Sequence, residues 1–144
     1  MKLTVQDFAE IVGALRTEAS SLGAQEKRRA VRMTVTSKLV VGVLNDGAVG
    51  RKYSVLTRDI SQAGIGLLQS IALQQGQEFV LSLPRQHGKP HLFFVTVVMH
   101  CRPLADGLYG LGCEFVRQAP EEMAQKLMRE ETSEYARIRN SVLG

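Results

Sequence analysis

The chain has 144 residues, 44% of them apolar and 22% charged, with a net charge of +4 at pH 7. These values favour one globular domain with a modest core and exclude wholesale disorder. The longest apolar run, Leu92 to Met99, is strand-sized, and Asp7 and Glu10 interrupt the N-terminal stretch, so neither a membrane span nor a signal peptide is expected and the expected location is the cytoplasm.

Residues 1–23 read as a helix. Phe8, Ile11, Val12, Leu15, Ala19 and Leu22 recur at three- and four-residue spacing and draw one apolar stripe, which must meet either the rest of this chain or a partner. Thr4 with Asp7 resembles a capping box, and Gly23 supplies a stop. Residues 24–32 form a polar linker that ends in a basic cluster, Lys27, Arg28, Arg29 and Arg32, while much of the acid lies in the stretch from Glu121 to Glu134. From residue 33 to 118 the pattern is that of strands: 33–44, 51–57, a start at 64–68, 78–83, 91–102 and 108–116. Asn45-Asp46-Gly47, Pro84 to Pro90 and Ala105-Asp106-Gly107 punctuate them. About six short strands in about 85 residues predict an antiparallel barrel or sandwich. Residues 119–144 read as a helix with Pro120 at its first position and Met123, Leu127, Tyr135 and Ile138 roughly on one face. Two amphipathic helices leave room for a homodimer.

Cys101 and Cys113 read as reduced, buried thiols. His87, His91 and His100 lack ligand spacing to either cysteine, so no metal site is expected and the histidines read as surface residues.

Arg28 and Arg32 form Arg-x-x-x-Arg where the linker meets the first strand; Asp59, Ser61 and Gly64 form Asp-x-Ser-x-x-Gly after the second strand. Either motif alone is weak, since basic strand edges and Asp/Ser/Gly turns arise for ordinary backbone reasons. Together, in this order, with Ile65-Gly66-Leu67 following and Tyr109-Gly110-Leu111-Gly112-Cys113-Glu114-Phe115 as the last strand, they resemble the PilZ domain family over about residues 26–118.

The resemblance implies a mainly β fold, a six-stranded antiparallel PilZ-type barrel with an accessory N-terminal helix and a C-terminal helix. It implies a non-catalytic receptor for the bacterial second messenger cyclic di-GMP, with no cofactor beyond that ligand and an unidentified effector protein downstream, in outputs such as motility or biofilm formation. Arg28, Arg32, Asp59, Ser61 and Gly64 are then the ligand residues, with Lys27 and Arg29 secondary. Lys27, just before the first motif arginine, fits two intercalated ligands per chain.

The chemistry suits those residue types. A guanidinium matches the N7 and O6 acceptors of guanine, fits phosphate oxygens and stacks on base faces, and lysine offers no such plane. An ionised Asp59 accepts from guanine N1 and N2 or orients an arginine. Ser61 offers a hydroxyl to phosphate or base, and Gly64 either takes a positive φ or permits close backbone approach. The expected relay is ordering of residues 24–32 around the ligand, which moves the N-terminal helix.

Three other readings compete. An enzyme would need a histidine placed to activate Ser61, a nucleophile elbow, paired metal ligands or a phosphate loop, and no such motif stands out. A small basic barrel can bind single-stranded nucleic acid, but aromatics are 6% of the chain and none stands among the basic residues, so no nucleic-acid partner is expected. The last is a PilZ-fold interaction module that binds no nucleotide and docks a partner through its helices.

Overall fold

Apolar alternation, broken by residues that tolerate a left-handed backbone, makes six strands from residues 38–118. They are β2 (Lys38–Asn45), β3 (Ala48–Ile60), β4 (Gly64–Gln69), β5 (Glu78–Leu83), β6 (Leu92–Pro103) and β7 (Tyr109–Gln118), preceded by a two-residue strand β1 (Met33–Thr34) and by helix α1 (Val5–Ala19). The computed structural model describes residues 1–19, 33–34 and 37–128. Asp46 (φ 52°) and Gly47 (φ 80°) join β2 to β3 with both central residues left-handed, the turn whose twist matches a hairpin.

The sheet runs β3-β2-β5-β6-β7-β4, and β4 pairs back with β3 to close a six-stranded antiparallel barrel. β1 adds to the end of β3, with Met33 opposite Ile60 and Thr34 opposite Asp59. Phe79, Leu81, Leu83, Phe94, Leu111 and Phe115 fill the interior, and the rings of Phe94 and Phe115 tilt together at 5.4 Å.

The apolar stripe of α1 meets its own barrel. Ile11 and Leu15 are fully buried and share the core with Leu3 and Val12. The helix begins as its sequence suggests: the Thr4 hydroxyl accepts the Asp7 N–H at 3.0 Å. Its polar side is tied to the β5–β6 loop, where Glu10 is paired with Lys89 and lies 3.7 Å from Arg85. α1 therefore plugs the barrel end that carries the β3–β4 and β5–β6 turns.

A second, smaller core lies outside the barrel. Residues 121–128 are helical, and Leu127 is buried with Leu44, Val49, Val80 and Val95. This helix covers the outward face of β5, so Val80 is as buried as Phe79 and Leu81 beside it. Pro120 precedes the helical run instead of opening it: its carbonyl accepts the N–H groups of Met123 and Ala124 at 3.0 and 3.2 Å. Tyr135, Ile138 and Gly23, and the acid beyond Met128, lie outside the described residues.

Candidate functional site

The Asp-x-Ser-x-x-Gly segment is built by a β-bulge and a tight turn. On β3, Thr57 pairs with Leu67 and Asp59 with Gly66, so two steps on β3 oppose one on β4 and Arg58 is the extra residue. Thr57 and Ile60 both face the core with no measurable exposure. Strict alternation would turn Asp59 inward with Thr57. The bulge instead puts Arg58 and Asp59 on the outer face together, with Arg58 Nε 3.3 Å from Asp59 Oδ2. β3 runs to Ile60, so Asp59 lies within the strand and not beyond it. It stands between Thr34 of β1 and Gly66 of β4.

The chain then reverses between Ser61 and Gly64. The Ser61 N–H donates to the Gly64 carbonyl at 2.9 Å, and the Ser61 hydroxyl accepts the Gly64 N–H at 3.2 Å. This hydroxyl has a structural task in the turn in addition to any ligand role. Of the two expectations for Gly64, close approach is the one realised: its φ is not among the positive glycine values, and a Cβ there would collide with the carbonyl oxygen of Cys113. The approaching group is β7 of the same barrel. Ala63 O also accepts the Phe115 N–H at 2.9 Å.

The turn touches the N-terminus as well. The Leu3 N–H donates to the Gln62 carbonyl at 2.8 Å, and the Gln62 side-chain amide donates to the Leu3 carbonyl at 2.8 Å.

Asp59, Ser61 and Gly64 thus converge on one rim of the barrel. Lys27, Arg28, Arg29 and Arg32 lie outside the described residues; Arg32 directly precedes Met33, the first residue of β1. Of the other basic residues, Arg58 joins the motif, whereas the Lys52 ammonium reaches the Leu127 carbonyl at 2.5 Å and belongs to the C-terminal helix contact.

His100 is the functional candidate that the sequence did not single out. It stands on β6 opposite Gly112, which is itself opposite Gly66. The readable signal was the outward glycines in Gly64-Ile65-Gly66 and Gly110-Leu111-Gly112, small residues where a barrel exterior ordinarily carries polar side chains.

Two cavities of about 500 and 490 Å³ lie elsewhere. One is between β6 and the C-terminal helix, around Phe93, Ala124 and Met128; the other is lined by Asp46, Gly47 and Gln74 to Glu78. Neither includes Asp59 or Ser61. Among the described residues, no three His, Cys, Asp or Glu side chains are grouped to hold a metal ion, and no helix is long and apolar enough to cross a membrane.

No curated protein matches the chain. Solved structures similar to it include the Bacillus subtilis inhibitor of motility MotI/DgrA, at 17% identity and TM-score 0.47, covering 76% of this chain and 53% of that one. The K. pneumonia MrkH–c-di-GMP complex is similar at 18% identity and TM-score 0.47, covering 82% and 54%. The PilZ domain of YcgR from Escherichia coli, solved with c-di-GMP, is similar at 17% identity and TM-score 0.46, covering 81% and 98%. The chain spans about half the length of the first two. The PilZ domain family model matches residues 26–130, from the basic linker through the barrel into the C-terminal helix. The chain belongs to the PilZ domain family.

Proposed function

We propose that the chain is a non-catalytic cytoplasmic receptor for cyclic di-GMP, which it holds between Arg28 and Arg32 of the linker and Asp59 of the barrel rim. The observation that carries this reading is the bulge in β3. It turns a carboxylate outward beside β1, and Arg32 is the residue immediately before that strand. Membership of the family supplies the ligand class. The chemistry agrees: guanidinium groups suit phosphodiester oxygens and guanine N7 and O6, and a carboxylate suits guanine N1 and N2.

Ser61 and Gly64 act mainly by shaping the rim, and their effect on affinity is indirect. Lys27, with Arg29 as the other secondary residue, provides the charge for a second intercalated ligand. Ligand binding orders residues 24–32, and the change reaches the effector through α1, whose start is tied to the motif turn at Leu3 and Gln62.

Calorimetric titration of cyclic di-GMP into the chain and into Arg28→Ala, Arg32→Ala and Asp59→Ala, with GMP as control, tests the reading. Saturable binding to the unaltered chain, lost in the arginine variants and weakened in Asp59→Ala, is expected. No heat from the folded, unaltered chain would overturn it and leave the interaction-module reading.

A further inference from the structure

Asp59, Gly66, Gly112 and His100 stand in one register row across β3, β4, β7 and β6. Their neighbours Ile65, Leu67, Leu111 and Cys113 face the core, so the two glycines at the middle of the row open outward and bare the backbone. The side chains at the ends of the row fold in over that floor. The space a Cβ would take at Gly66 is occupied by Arg58, with Nη2 at 2.8 Å and Nε at 3.1 Å, and by Asp59 Oδ1 at 2.5 Å. Arg58 Nη1 reaches the corresponding space at Gly110, 3.2 Å away. At Gly112 the space is filled by the His100 ring.

A guanidinium over Gly66 and Gly110 and an imidazole over Gly112 therefore cover neighbouring stretches of bare backbone, beside a row with the Asp59 carboxylate at one end. His100 remains exposed and Arg58 is 38% exposed, so both present themselves to solvent. The next row along is Leu56, Leu68, Gly110 and Arg102 in register; Leu104 lies 3.4 Å from the Cβ position of Gly110, and Leu56, Leu104 and Arg102 are exposed. This second margin is apolar towards β3 and β4 and basic at β6, where Arg102 stands. A planar aromatic heterocycle with an apolar face and a polar edge matches this arrangement. Its face rests on the two π groups, and its donors reach Asp59.

We propose that Arg58 and His100 form a stacking shelf for a guanine base of the bound nucleotide, with Gly66 and Gly112 kept bare so that both side chains can lie down. This rests on the receptor reading above and extends it to two residues outside both motifs. Stacking needs the planes and not the charge alone, so lysine at 58 fails where arginine serves, and another aromatic at 100 serves where alanine fails.

The experiment is titration of cyclic di-GMP into the unaltered chain, His100→Ala, His100→Trp and Arg58→Lys, together with NMR of the histidine ring C–H resonances of the unaltered chain. Expected are binding about tenfold or more weaker in His100→Ala, as for the loss of one base–aromatic stack, near-original affinity in His100→Trp, and weakening in Arg58→Lys. The His100 ring resonances should move upfield on ligand addition, a readout that needs no variant to fold. Binding with unmoved His100 resonances and an unaffected His100→Ala would overturn the shelf and leave the receptor reading intact. Failure of His100→Trp to restore what His100→Ala loses would overturn stacking as the role of this residue. No binding by the unaltered chain would overturn both.

Discussion

Gln62 and Leu3 hold each other by two hydrogen bonds of 2.8 Å, one from the Leu3 N–H to the Gln62 carbonyl and one from the Gln62 side-chain amide to the Leu3 carbonyl. Leu3 is itself buried in the core, two residues before α1 begins. The middle of the motif turn therefore grips the chain just ahead of the helix that closes the barrel. These two bonds link the Ser61–Gly64 turn to the start of α1 directly, without an intermediary in the core.

Gln62→Ala removes one of these bonds and leaves the backbone one in place. The expected loss of stability is about 1 kcal/mol. Amide exchange at Leu3 and in the first turn of α1 should accelerate, while exchange in β6 and β7 should not. Unchanged exchange at Leu3 in the variant would show that the core contacts of Leu3 alone hold this segment.

Gly64→Ala should cost about 1–3 kcal/mol, as for overpacking, because its Cβ has no room against the Cys113 carbonyl unless β4 and β7 separate. Gly47→Ala has open space around it and suffers only the strain of a positive φ, so it serves as the comparison. Denaturant midpoints of the two variants check the difference. No measurable loss in Gly64→Ala would mean that β4 and β7 yield easily and that Gly64 is there for its neighbours in the turn.

Most of the barrel was legible because period-two alternation and turn residues act locally. Strand β5 spans residues 78–83, as the alternation predicts, and the left-handed Asp46-Gly47 turn was announced by its two residues. The bulge at Arg58 was not foreseen, although Val55, Thr57 and Ile60 carried its trace: buried positions two and then three apart require one extra residue between them. Where the stripe of α1 docks was undecidable from its own period, since the same stripe fits a partner as well as a barrel end. What fixed it lay 75 and more residues away, at Arg85 and Lys89. The shelf was hidden for the same reason. Nothing in the local sequence says that Gly66, Gly112 and His100 fall in one register row.

Glu10 is held below its usual value of 4.5, chiefly by the hydrogen bond from Lys89, with the charges of Lys89 and Arg85 acting the same way. A carboxyl lowered in the folded state stabilises that state above its unfolded pKa, and the contribution fades as pH falls through the folded value. Stability at this end of the barrel should therefore fall on acidification below about pH 5. Glu10→Gln should flatten that part of the profile and lower stability at pH 7. Denaturant midpoints between about pH 3 and pH 7 decide it; parallel profiles for the two proteins would assign the acid sensitivity to other carboxylates.

Burial pushes the Cys113 thiol up to about 12, with the nearby Cys101 adding to the effect and Arg58 opposing it. The thiolate is the reactive form, so at pH 8 native Cys113 should resist alkylation, whereas the half-buried Cys101 should be reached first. In denaturant both should react. The linkage has a definite sign: a raised folded pKa gives stability that is complete below the unfolded thiol value of about 8.5 and is lost as pH rises from there towards 12. Cys113→Ala should remove that alkaline loss at the cost of a small cavity behind Gly64. Mass spectrometry of alkylated native protein reads the first expectation directly. Modification of Cys113 as fast as Cys101 in the folded chain would mean that β4 and β7 open readily beside the motif turn, so that the Gly64 contact is transient.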